Sequence, residues 1–190
     1  MFLSLENLAG RFLIANVSLV ETEFAQTVIY VCAHSKEEGA MGVIVNRSLK
    51  DPTIEMLFEQ LGVSPNPPRR QLFLGMGGPI DATRGFVLHS PEKNYPETMR
   101  GGELAAVTST LPILQELARG EGPKEAMMLL GHASWEAGQL EDEIIQHDAW
   151  LIAPANKHIL FDPDPKGKWQ KALALLKINP ASLTHKIGES

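Results

Sequence analysis

Cysteine is nearly missing from this chain: Cys32 is the only one in 190 residues. A lone cysteine excludes an internal disulfide framework and a cysteine-rich metal site. Long apolar runs are missing as well. The longest, such as 28–33 and 126–130, fall far short of the roughly 20 residues a membrane helix needs. The first ten residues lack a basic region and Glu6 interrupts them, which argues against a signal peptide. Nor is there a surplus of positive charge. Lys plus Arg is 17 against 23 for Asp plus Glu, a net charge of −6. That gives no electrostatic footprint for nucleic acid or an anionic membrane, because phosphate binding needs clustered Lys and Arg. The one basic cluster, Lys166, Lys168 and Lys171, reads as a solvated helix flank, and no helix-turn-helix pattern accompanies it. The six histidines show no H-x-H or H-x-x-x-H pairing, so neither a metal nor a cofactor is expected. Repeats and low-complexity tracts are absent too. The expectation is one compact domain over 1–190, cytoplasmic, with no membrane association and no direct contact with nucleic acid.

What is present reads first as strands. Segments 11–16, 26–33 and 41–46 are rich in β-branched and apolar residues, and the last two should pair as a hairpin across the polar turn at 35–39. Apolar residues at nearly every position suggest strands covered on both faces. A helix then follows: Asp51 can cap it, Pro52 suits its first position, and Ile54, Leu57, Phe58 and Leu61 share a face before Gly62. Residues 63–70 read as a loop. Further strands are expected at 71–74, 85–89, 104–108 and 125–130, with a helix over 112–119 and a long loop over 90–103. Ser134 can cap a helix running to about 147. Asp164 and Pro165 start another, with Trp169, Ala172, Leu173 and Leu176 inward and Lys168 and Lys171 outward. Elements in this order fit a single α+β domain, one large curved mixed sheet with helices packed on it.

Four groups of residues invite a chemical reading. The cluster Gly75-Met76-Gly77-Gly78-Pro79 follows a strand but lacks the Lys-Ser/Thr of a P-loop and the third glycine of a dinucleotide fingerprint. It reads as a bulged turn with close backbone approach. The sharper reading is an anion-binding pocket: amides of Gly77 and Gly78, with Asn46, Arg47, Arg84 and His89 at neighbouring strand ends. Next, His89 and Ser90 end a strand; with Arg84 they are the residues a hydrolytic enzyme would use, although neighbours on a strand point to opposite faces. Cys32 and His34, two apart on a strand, could share a face and make a redox-sensitive thiol; the plainer reading is a buried cysteine. Lastly, Trp135, Gln139 and Asp142 at helical spacing would form a stripe able to meet a partner protein.

With these blocks in view, the chain resembles the AlgH/YqgE-like family of bacterial proteins almost end to end. The resemblance rests on FLIAN, QTVIYVCAHSKEEGAMGVIVNRSL, LGMGGPIDATRGFVLHS and LLGHASWEAGQLEDEI with AWL. Val17, Glu21 and Thr22 depart from the family pattern, as do His132 and Ser134. The resemblance implies a mixed α/β fold with a barrel-like curved sheet flanked by helices. It carries no catalytic assignment. Some members are labelled transcriptional regulators through an association with alginate production, which implies influence on expression without establishing DNA contact. The leading expectation is therefore a non-enzymatic regulatory or binding protein acting through a small anion or a partner protein; the alternative is a small-substrate hydrolase.

Overall fold

The structure, a computed structural model, describes residues 4–63 and 70–184. Most of the loop expected at 63–70 lies outside the described residues, as does the start of the N-terminal segment. β1 (Arg11–Ala15), β2 (Val28–Ser35) and β3 (Gly39–Ile44) form an antiparallel meander whose last two strands are the expected hairpin. Their continuous apolar character has the expected cause. Val28, Tyr30 and Cys32 enter one buried cluster with Phe12 and Val43, while Ile29 and Val31 enter a second with Leu13 and Ile44. Both faces of the hairpin are covered.

The remaining strands are β4 (Phe73–Met76), β5 (Ile80–His89), β6 (Met99–Gly101), β7 (Ala105–Thr108), β8 (Ala126–Trp135) and β9 (Trp150–Pro154). They join one sheet in the order β6-β7-β5-β8-β3-β2-β1-β9, with β4 parallel to β8 and off this path. The fold is a single α+β domain built on a curled half-barrel sheet, as the sequence led us to expect.

β8 is the hub. Its first half pairs with β4 and β5 and its last three residues pair with β3. The β5 ladder breaks at Gly131, whose φ of +76° suits glycine, and resumes for one pair, His132 with Ile80, before β3 takes over at Ala133. Here the chain at 77–78 passes so close that a Cβ on Gly77 would stand 2.3 Å from the Gly131 carbonyl oxygen. A Cβ on Gly131 would stand 2.2 Å from the Gly78 carbonyl. The glycine cluster is thus the close backbone crossing of the plainer reading. The curl then carries β6 onto β2, where the Tyr30 hydroxyl donates to the Gly101 carbonyl. A Cβ at Gly101 would stand 2.7 Å from the carbonyl oxygen of Cys32.

Six helices flank the sheet among the described residues: α1 (Ile54–Gln60), α2 (Leu111–Ala118), α3 (Gln139–Ile145), α4 (Lys157–Leu160), α5 (Lys168–Leu175) and α6 (Pro180–Thr184). α2 matches its expected position. α1 is capped by Thr53, whose hydroxyl accepts the Met56 N–H at 3.2 Å, in place of Asp51. Leu61 falls past its end and is exposed. The helix expected from Ser134 starts five residues later, after Gly138, because Ser134 and Trp135 stay in register with β3. α5 buries Trp169, Ala172 and Leu173 as expected, but Lys168, expected outside, is wholly buried. β6, β9, α4 and α6 were not anticipated.

Replacing Gly101 by alanine tests the curl, because the added methyl meets the Cys32 backbone, which cannot yield as a side chain would. Urea unfolding is expected to show a loss above about 3 kcal/mol for Gly101→Ala. Gly62→Ala, with nothing within 4 Å but a φ of +69°, should lose only about 1 kcal/mol. Equal losses would show that the β6–β2 contact is not tight.

Candidate functional site

The strand-end pocket expected around Asn46, Arg47, Gly77, Gly78, Arg84 and His89 is not assembled. Asn46 follows β3 and clamps the start of β2: its Oδ1 accepts the Val28 N–H at 2.9 Å and its Nδ2 donates to the Gln26 carbonyl at 2.9 Å. The Arg47 guanidinium donates to the carbonyls of Ala25 and Glu23, tying down the same loop. The Gly77 N–H donates to the Leu130 carbonyl at 2.7 Å, and the Gly77 carbonyl accepts the Ile44 N–H at 2.8 Å. An amide bonded within the scaffold is not offered to an anion, so the nest reading fails at Gly77.

His89 is fully buried and bonded at both nitrogens. Nδ1 donates to the Ser90 carbonyl at 2.9 Å, and Nε2 meets the Thr108 hydroxyl at 2.8 Å. Thr108 in turn meets the Thr98 hydroxyl at 2.8 Å, and Tyr95 packs edge-on to the imidazole, 5.7 Å between centroids. Burial holds the His89 pKa below its ordinary value, so the ring stays neutral and pins the 90–98 loop. The Ser90 hydroxyl faces the Glu125 backbone, donating to its carbonyl at 3.3 Å and accepting its N–H at 3.0 Å. The serine and imidazole that a hydrolase would pair are thus each bonded elsewhere. The geometry gives the hydrolytic alternative no nucleophile–base contact.

Cys32 and His34 do not share a face. β2 carries a bulge between Val31 and Ala33, and one extra residue reverses the alternation beyond it. Cys32 joins the cluster of Phe12 and Tyr30, where burial pushes its thiol up to about 12. His34 turns toward α3: its Nδ1 accepts the Leu8 N–H at 2.9 Å, and its Nε2 lies 2.6 Å from Glu141 Oε1. A buried thiol with a raised pKa is the opposite of a redox-sensitive one.

The stripe of Trp135, Gln139 and Asp142 is also not formed. Trp135 ends β8 and is buried, donating through Nε1 to Glu143 Oε2 at 2.6 Å. Trp150 of β9 donates to the same oxygen at 3.1 Å, and Gln139 Nε2 reaches Glu143 Oε1 at 3.4 Å. One carboxylate on α3 therefore pins two indoles that stand edge to face, centroids 6.2 Å apart. Sequence reasoning missed Glu143. Its signal was a carboxylate spaced between two tryptophans, each with one N–H to satisfy.

Lys168 was missed for the opposite reason, since its helical position looked solvated. Its Nζ donates to the carbonyls of Val45, at 2.9 Å, and Leu160, at 2.8 Å, and stands 5.5 Å from the centre of the Phe73 ring. Burial lowers its pKa to about 8. Lys171 is paired with Asp162. The basic cluster of Lys166, Lys168 and Lys171 is thereby dispersed: one amine is buried and another is paired.

Charged groups line several concavities, and two of these involve the predicted residues Arg84 and Ser90. In the first, of about 200 Å³, Arg84 lies over the Phe86 ring, 5.1 Å from its centre, and donates to Ser109 Oγ at 3.1 Å. His132, Glu97, Met41 and Met99 line the same hollow, and His132 Nε2 lies 3.4 Å from Asp81 Oδ2. Asp81 and Glu97 both take positive φ, 49° and 59°, a conformation that clusters at functional sites. The second, of about 560 Å³, lies where Ser90 and Glu125 at the ends of β5 and β8 face α4. Among the described residues, no three His, Cys, Asp or Glu side chains converge as metal ligands, and no helix is long and apolar enough to cross a membrane.

A family profile described as AlgH-like matches residues 12–181. A UPF0301 protein of Gluconobacter oxydans is 46% identical over 183 residues, covering 96% of this chain and 98% of that protein. One from Cereibacter sphaeroides is 38% identical, covering 97% and 100%. The solution structure of the AlgH protein from Pseudomonas aeruginosa superposes with a TM-score of 0.78 at 37% identity, covering 97% of this chain and 96% of that one. A Corynebacterium diphtheriae protein at 22% identity and a TM-score of 0.70 shares the fold.

Lys168 offers a test of this internal geometry. Its folded pKa of about 8 lies below the ordinary 10.5, so folding carries a penalty while the amine is charged in both states. That penalty is relieved as pH rises from about 8 to 10.5, where only the unfolded chain retains the proton. Stability of the wild type relative to Lys168→Met should therefore rise by up to about 3 kcal/mol across that window. A difference independent of pH would place Lys168 in water.

Proposed function

Because the chain belongs to the AlgH-like family and no residue role comes with that membership, we propose a function from its own geometry: a non-enzymatic, cytoplasmic regulatory protein that binds a small anion at Arg84. Any influence on transcription then passes through the ligand or a partner protein, without DNA contact. The observation that carries this reading is the state of the Arg84 guanidinium. Asn46, Arg47 and His89 are bound into the scaffold, whereas among the described residues Arg84 has Ser109 as its one hydrogen-bond partner. Its planar fork is thus held against Phe86 with donors to spare, the arrangement that suits a carboxylate or phosphate.

The hollow limits the ligand to a few heavy atoms, since a cavity of about 150 Å³ holds benzene. Glu97 on its rim favours a ligand that also carries a hydrogen-bond donor, such as a hydroxy acid. A mildly acidic chain with one unpaired, buried thiol suits a reducing compartment.

Thermal unfolding with and without phosphate, acetate and lactate tests the proposal. Ligand bound to the native state stabilises it by mass action, by about 2.7 kcal/mol at a hundredfold excess over Kd, and so raises the unfolding temperature. At least one of these anions is expected to stabilise the wild type, and Arg84→Ala should abolish that gain while leaving the unliganded protein within about 1 kcal/mol of wild type. If none stabilises wild type more than variant, the Arg84 reading is wrong.

A further inference from the structure

The second hollow carries a different assignment. Leu104 and Phe161, with Pro91 and Pro163, supply its apolar lining, the floor on which a ligand would lie. Its rim is charged, and the two signs are not in the same condition. The Glu92 carboxylate accepts the Lys124 backbone N–H, and Asp162 pairs with Lys171 while accepting the Asp164 N–H at 3.0 Å. Both acids are thus engaged by the protein. The side chains of Lys157 and His158, which α4 projects onto the same rim, have no hydrogen-bond or ion-pair partner among the described residues. Lys124 adds a second ammonium, whose charge also acts on the Glu92 carboxylate, and among the described residues the Glu125 carboxylate is not bonded. We infer that this hollow binds a small organic anion, its acidic head held between Lys124 and Lys157 and its apolar body laid on Leu104 and Phe161.

The chemistry follows from that division. About 560 Å³ is the size of a small-molecule site, lined by apolar surface with a few placed charges. An inorganic anion would satisfy the ammonium groups but leave the apolar floor wet. A neutral molecule would cover the floor and leave the charges unanswered. Ammonium groups act as point charges and do not select a planar head, so carboxylate and phosphate monoesters are equally suited. The site is separate from the Arg84 hollow, and its assignment stands whether or not that hollow binds anions.

The experiment is an amide-resolved NMR titration of the full chain with benzoate, with acetate and benzyl alcohol as controls. Benzoate is expected to shift the amides of Leu104, Lys157 and Phe161 along saturating curves, with a Kd of about 1 mM. The double variant Lys124→Gln, Lys157→Gln should weaken binding by about tenfold, and both positions are exposed, so the fold survives. Arg84→Ala should leave the benzoate-induced shifts of Leu104, Lys157 and Phe161 unchanged, which separates this site from the first hollow. Acetate binding as tightly as benzoate would remove the apolar body from the inference, and benzyl alcohol binding as tightly would remove the acid. No saturation by about 10 mM, or shifts that vanish in Arg84→Ala, would overturn it altogether.

Discussion

One strand serving two sets of partners is the constraint on which the rest of the molecule depends. β8 pairs with β4 and β5 before Gly131, touches β5 once more where His132 faces Ile80, and pairs with β3 from Ala133 on. Backbone there comes within contact of backbone at 77–78, leaving no room for a Cβ on either side. The sheet bends at this crossing because only glycine tolerates both the approach and the positive φ. From the bend come the half-barrel, the contact of β6 with β2, and the placing of β5's exposed end, where Arg84 shares a hollow with His132, the residue after Gly131.

Polar side chains then lock the curled sheet to its helices. Glu143 gathers the indoles of β8 and β9 under α3. Lys168 fastens α5 to the end of β3 and to α4 through two carbonyls, and Trp169 donates to the Ala15 carbonyl of β1 at 3.0 Å. His89 holds the 90–98 loop. Among the described residues, no buried side-chain nitrogen or oxygen is left without a partner. Each such bond adds little net stability when made, but losing one partner strands the other in a dry interior. These groups therefore fix the shape more than they add to its stability.

The hairpin, α2 and the buried face of α5 were legible because period-2 and period-3.6 patterns survive wherever one face meets the core. The start of α3 was not, because ASWEAGQLEDEI satisfies helical periodicity while the register with β3 keeps Ser134 and Trp135 extended. Local capping preference lost to a tertiary ladder. A bulge at Cys32 likewise reverses the face of His34, and no composition signal marks a bulge. Lys168 was misplaced because a lysine stem can be buried when its amine finds carbonyls, and those carbonyls, Val45 and Leu160, lie far off in sequence or in an unanticipated helix. Of the strand-end site, Arg84 remains as the exposed group; the others turned out to hold the loops and strands that position it.

That division between scaffold and ligand-facing residues is the central claim, and Gly77 is where it can be read most directly. Native-state hydrogen exchange of the Gly77 amide, with and without phosphate, is the measurement. If the amide is bonded to Leu130 across the crossing, it should exchange only with global unfolding, as slowly as the amides of β2 and β3. A Gly77 amide that exchanges at loop rates, or that is slowed by phosphate while β2 and β3 are not, would mean that the glycine cluster faces a ligand and would contradict the account.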